Sequence, residues 1–103
     1  MKTGVELIAE ERQRQIEIEG WTAEHDAQHS NGELALAAMC YADPKEYFHQ
    51  ENRYLKIRIP NSYFPKTWDI KWFKPKDRIR DLVRAGALIA AEIDRLNRIK
   101  ENS

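Results

Sequence analysis

Two histidines four residues apart, with an aspartate between them, raise the first chemical question in this 103-residue chain: His25-Asp26-Ala27-Gln28-His29. The pattern is one methylene short of H-E-x-x-H, in which two histidines on one helical face hold zinc and the acid between them serves as base. Here Ser30-Asn31-Gly32-Glu33 has the form of a capping box, which places a helix start at Ser30, after both histidines. Asn31-Gly32 disfavours running that helix backwards. No third ligand is signalled, so the zinc reading is set aside. Asp26, His29 and Glu33 then lie on a connection into a helix N-terminus, where backbone donors attract anions. With Trp21 as a stacking surface and Thr22 beside it, they could form one wall of a ligand pocket. In the plainer reading, Asp26 or His29 caps the helix and ties it to Trp21.

A second group lies further along. The stretch WDIKWFKPKDRIRD interleaves Trp68, Trp72 and Phe73 with Lys71, Lys74, Lys76, Arg78 and Arg80. Rings that stack on a base and cations that meet phosphate suit a nucleotide-like ligand. The same rings could instead be core anchors, with the cations a solvated face. Pro75-Lys76-Asp77 also falls at an expected helix start. The candidate ligand-binding set is Trp21, Thr22, Asp26, His29, Glu33, Trp68, Trp72, Lys74, Lys76, Arg78 and Arg80. No catalytic residue is assigned. Asp77 and Asp81 are four apart on one helical face and could hold Mg²⁺, or pair with Arg78, Arg80 or Arg84.

The elements that must position these groups are mainly helical. Thr3-Gly4-Val5-Glu6 is a capping box, apolar residues recur behind it, and Gly20 closes the run, giving a helix over about 4–19. A second helix, about 31–42, is apolar on nearly every side and so buried all round. Asp43-Pro44 ends it and starts a short helix near 44–50. Leu55, Ile57 and Ile59 alternate with Lys56 and Arg58 in a strand or short hairpin near 54–59. Residues 60–75 hold three of the four prolines and five aromatics, an ordered loop anchored by its rings. Pro75 opens the longest helix, about 75–99. Its main stripe is Ile79, Leu82, Val83, Gly86, Ile89, Ile93 and Leu96, and AGALIAA adds small residues around the circumference. Such a helix has neighbours on several sides, some of them expected from another subunit. Only the final KENS reads as frayed.

The expectation is one mainly α domain spanning 1–103. Hydrophobic residues make up 42% and charged residues 33%, which is a globular composition with a solvated surface. No apolar run approaches the roughly 20 residues of a membrane span, no signal peptide is recognisable, and Cys40 is alone. A cytoplasmic protein is expected. The zero net charge does not favour nucleic acid as a partner. It conceals an asymmetry: residues 1–52 carry four basic and eleven acidic side chains, and residues 53–84 ten basic and three acidic.

Taken together, Glu11 to Gln15, Glu19-Gly20-Trp21-Thr22, Glu24-His25-Asp26 with His29, Gly32-Glu33-Leu34-Ala35, and Lys74-Pro75-Lys76-Asp77 through Arg80-Asp81-Leu82 to Ala85-Gly86-Ala87-Leu88 resemble a small protein type of phages and prophages. This resemblance covers most of the chain and implies a phage-encoded protein of the host cytoplasm. A shorter stretch, Arg14 on a helix and then Glu19-Gly20-Trp21-Thr22, Asp26 and His29, is similar to the ryanodine-receptor repeat domain, with Ser30 where that family has proline. That likeness implies a pocket for a nucleotide-derived signal, lined by Trp21, Thr22, Asp26 and His29. In size, helical content and oligomeric habit the chain also resembles the MazG-like nucleotide pyrophosphohydrolases, which hold Mg²⁺ with E-x-x-E and E-x-x-D pairs. Glu33 is followed by Leu36 rather than an acid, so the chemistry would have to be rebuilt from Glu33, Asp77 and Asp81. The expectation is an oligomeric phage-type binder of a small anionic, nucleotide-derived ligand, sequestering a host immune signal, with no cofactor. The alternatives are an Mg²⁺-dependent pyrophosphohydrolase and a structural or partner-binding phage protein.

Overall fold

In the computed structural model, which describes residues 1–102, the elements follow in the order α1 (Gly4–Glu17), α2 (Ala23–Ala27), α3 (Glu33–Ala42), β1 (Tyr47–Asn52), β2 (Leu55–Ile59) and α4 (Arg78–Glu101). A single 3₁₀ turn covers Ile70–Trp72. The architecture is mainly α, and α4 is its axis: α1, α2 and α3 all pack on it. No helix among the described residues is long and apolar enough to cross a membrane.

The Thr3 capping box forms as expected, with Glu6 N–H donating to Thr3 Oγ1 (3.2 Å) and Thr3 N–H to Glu6 Oε1 (3.1 Å). The helix stops at Glu17, and Gly20 at φ +73° turns the chain so that Trp21 N–H reaches back to Gln15 O at 2.9 Å. Four other expectations need correction. The Ser30 capping box does not form. Gly32 at φ +80° is the N-cap of α3, and Glu33 Oε1 accepts from Asn31 N–H (2.6 Å) instead of reaching a serine. The expected short helix at 44–50 is a strand. Asp43 Oδ1 takes Lys45 N–H in a local turn, and Tyr47, Phe48 and His49 then pair with Ile59, Arg58 and Ile57. The longest helix starts at Arg78, because Asp77 rather than Pro75 supplies the cap, accepting from Arg80 N–H at 2.9 Å. Its far end stays helical to Glu101; Ser103 lies outside the described residues.

The packing face of α4 is also not the expected stripe. Ala85, Leu88 and Ala91 form the contact with α3, meeting Leu34, Ala37, Ala38 and Tyr41, and Phe73 closes one end. Small residues on both helices let the backbones approach, and each fully buried leucine contributes about 1.5–3 kcal/mol. Of the expected stripe, Val83 alone is buried, while Ile79, Leu82, Ile89, Ile93 and Leu96 are all at least 45% exposed.

α1 meets α4 differently. Gly86 leaves a notch that Ile8 fills, with Ile8 Cδ1 2.5 Å from where a β-carbon at 86 would stand. Beside it Glu11, 2% exposed, accepts from Arg14 Nε and Nη2 (both 2.8 Å), Gln15 Nε2 (3.1 Å) and Arg80 Nη2 (2.9 Å), with Arg84 Nε at 3.8 Å. Burial would raise this carboxyl, but the arginines and Gln15 outweigh it and hold the group below its ordinary range. Two more buried carboxylates brace the fold. Asp26 holds Arg12 Nη2 at 3.0 Å, joining α2 to α1. Asp81 Oδ1 accepts from Lys76 N–H at 2.7 Å. Its Oδ2 lies 3.1 Å from Arg58 Nη1 but out of line for a hydrogen bond, so the link to the hairpin is ionic.

Candidate functional site

A cleft of about 270 Å³ opens between α2, α3, α4 and the aromatic loop. Its local architecture starts at Thr22, the N-cap of α2, whose hydroxyl accepts from His25 N–H at 3.4 Å. The stretch expected as a connection is therefore a short helix carrying His25, with His29 just past its end. The ground on which the two histidines were separated fails: their ring centroids are 4.8 Å apart, edge to face. Thr22 followed by Glu24 in a first turn was the readable signal, masked by the stronger-looking box at Ser30.

The histidines belong to a chain of rings. Trp21 stacks on His25 at 5.5 Å and 5°, His29 meets Trp68 at 5.1 Å, and Trp68 meets Trp72 at 5.7 Å and Phe64 at 6.0 Å. Asp26, wholly buried below this wall, accepts at 2.9 Å from His25 Nδ1 and so fixes that ring, leaving Nε2 as its free nitrogen. Burial, with the neighbouring His25, lowers the pKa of His29, whose Nδ1 sits 3.9 Å from Glu33 Oε2. The site thus favours the neutral form of His29. The Trp68 indole N–H, shut off from solvent, finds no acceptor among the described residues.

The opposite wall is set by Tyr41 and Arg84. The Tyr41 hydroxyl donates to Trp72 O (3.3 Å) and accepts from Lys74 N–H (2.9 Å). Arg84 Nη1 donates to Lys74 O (2.7 Å), with its guanidinium 5.4 Å from the Tyr41 ring centroid. These bonds hold residues 72–74 at the cleft rim. Among the described residues no carboxylate pairs with the Lys74 ammonium. Below the loop Asn61 is a clamp, donating to Asp43 Oδ2 (3.0 Å) and accepting from Cys40 Sγ (2.9 Å) and Tyr63 N–H (2.9 Å). Burial pushes the Cys40 thiol up to about 11, so it is inert as a nucleophile.

The fold brings Trp21, His29, Trp68, Trp72 and Lys74, drawn from both sequence groups, to one cleft. Thr22, Asp26 and Glu33 support its wall without lining it. Three expected phosphate contacts lie elsewhere. Arg78 caps the last carbonyls of α3, including Asp43 O at 2.9 Å; Arg80 is held by Glu11; and the Lys76 backbone is tied to Asp81 and Arg58. Sequence reasoning missed His25, Tyr41, Phe64, Arg84, Leu88 and Glu19 as lining residues. Tyr41 and Arg84 carried no motif, and only the crossing of α3 with α4 puts them together.

The acidic set Glu33, Asp77 and Asp81 does not converge. Among the described residues no three His, Cys, Asp or Glu side chains form a group that could hold a metal ion. Asp77 is spent as a helix cap and Asp81 as a buried brace. These residues do not fit an Mg²⁺ centre. Comparison with protein-family models, with curated proteins and with solved structures finds no match.

Proposed function

We propose that this protein binds a small anionic, nucleotide-derived molecule in the cleft bounded by Trp21, His29, Trp68 and Trp72, with Lys74 and Arg84 meeting its charge. The observation that carries this reading is the union, in one intrachain cleft, of stacking surfaces with two cations and an imidazole, beside a Glu19 carboxylate that Arg14 Nη1 engages at 3.0 Å. A base offers a π-face to the indoles, and a phosphate offers oxygens to Lys74 and Arg84. About 270 Å³ is just under the roughly 300–1,000 Å³ of drug-sized sites. A mononucleotide-sized group therefore fits enclosed, and a larger signal would leave one end in solvent. The role is binding without turnover. In a phage-type protein it amounts to withholding a host nucleotide signal.

Calorimetry with nucleoside monophosphates, ADP-ribose and cyclic dinucleotides tests the reading, with quenching of tryptophan emission as a second signal. At least one is expected to bind. Trp72→Ala, on an exposed ring, should weaken that binding by about 1–3 kcal/mol, the worth of one base–aromatic stack, and Lys74→Glu should weaken it as well. A folded protein that binds none of these compounds would refute the proposal. Mass spectrometry of the denatured protein would identify any nucleotide retained through purification.

A further inference from the structure

The strongest amphipathic signal in the sequence faces away from the chain's own core. Ile79, Leu82, Gly86, Ile89, Ile93 and Leu96 are spaced 3, 4, 3, 4 and 3 apart, a heptad seam sustained along most of α4. In the fold, Ile79 is 65%, Leu82 45%, Ile89 48%, Ile93 52% and Leu96 51% exposed. Residues at this spacing lie one above another on a single helical face, so the exposed side chains form one continuous stripe. At Gly86, where the row would break, Ile8 of α1 fills the notch.

We propose that this seam is covered by the same seam of a second copy, the two α4 helices running antiparallel about a two-fold axis near Ala87 and Leu88. A second copy is the occupant specified by the pattern, because an a/d seam is complementary to another seam of the same period. The five side chains expose about 450 Å² of apolar surface, more than half of the roughly 800 Å² per partner in a standard interface. In the antiparallel sense Ile79 stands against Leu96 and Leu82 against Ile93, with Ile89 meeting Ile8 where that side chain fills the Gly86 notch. This sense also opposes the helix dipoles rather than aligning them. Of the cleft-lining residues, Leu88 lies about a third of a turn and Arg84 nearly half a turn around α4 from the seam. The dimer therefore leaves both clefts open on its outer flanks, and the pairing does not depend on the ligand reading.

Sedimentation equilibrium from micromolar to hundreds of micromolar is expected to give twice the chain mass of 12.2 kDa. Ile89→Lys combined with Ile93→Lys should return the single-chain mass. Both sites are half-exposed within the chain, so the far-UV circular dichroism of the variant should stay helical. A wild-type protein that sediments as a single chain, or a folded double variant that keeps the doubled mass, would overturn the proposal. Orientation is read by cysteine linking, which the buried Cys40 does not disturb. Under mild oxidation Ile79→Cys mixed with Leu96→Cys should give the heterologous covalent dimer. Preferential linking of Ile79→Cys to itself would overturn the antiparallel arrangement.

Discussion

α3 and α1 grip the same helix by opposite means. Against α3, α4 offers Ala85, Leu88 and Ala91 to a facing surface of Leu34, Ala37 and Ala38, and its charged contacts, Arg78 on the last carbonyls and Arg84 over the Tyr41 ring, stay at the C-terminal end of α3. Against α1 it offers Arg80 and Arg84 to the buried Glu11, with apolar contact at the Gly86 notch. The first contact is graded, since each methylene removed costs its own increment. The second is closer to all-or-none, because removing the shared carboxylate leaves several guanidinium groups without their acceptor. One helix thus carries one joint tuned by shape and another tuned by charge.

The largest expected effect is at the charged joint. Glu11→Gln should destabilise the protein by about 3–5 kcal/mol near pH 7, the usual cost of breaking a buried ion pair from one side, measured by urea unfolding. Leu88→Ala should cost about 2–5 kcal/mol by transfer and cavity terms, a similar loss of different origin. Acid separates the two. The Glu11 pKa is depressed in the folded state, so its contribution is present above its unfolded value of about 4.5 and is lost as pH falls through the folded value. The Glu11→Gln deficit should therefore shrink at acid pH, while the Leu88→Ala deficit persists. Equal pH dependence of the two deficits would erase the proposed distinction.

A smaller effect is expected at the notch. Gly86→Val would drive branched carbons into Ile8, at a cost of about 1–3 kcal/mol by overpacking. In an Ile8→Ala background the same substitution should become nearly neutral, a coupling read from a double-mutant cycle. Smallest is a binding effect in the cleft. Burial and His25 favour the neutral form of His29, although Glu33 and Asp26 favour its charged form. A bound anion should favour protonation, so affinity should rise as pH falls through the range in which His29 takes up its proton, and His29→Gln should flatten that rise.

How far the sequence could be read follows the same division. Periodicity located α1, α3 and α4, and the Thr3 box set the first helix start, because those signals are local and satisfied locally. Ser30 and Glu33 had the right spacing for a box, yet Gly32 took the left-handed turn and Glu33 bonded to Asn31 instead. Asp43-Pro44 read as a helix start, yet pairing with residues 57–59 decided in favour of a strand. A competing local turn settled the first case, and strand pairing the second. The site was half legible: tryptophans beside lysines signalled stacking and charge, but the arginines did not announce which would be consumed as braces. Arg78 and Arg80 belong to helix ends and to Glu11, and only Arg84 remains at the cleft. The apolar stripe of α4 was visible from the start. Which way it faces depends on the alanines, which carry little hydrophobic signal.

The β1–β2 hairpin carries one last consequence. Most of its residues are exposed, and it meets the body chiefly at its base, where Arg58 reaches Asp81 and Lys76 O. Two strands alone are marginal in water, and neither lines the cleft. The loop at Arg53 and Tyr54 is thus a natural seam for genetic surgery. New termini, a reporter or a guest domain inserted there would leave the helices and the cleft to assemble as before, provided Arg58 keeps its hold.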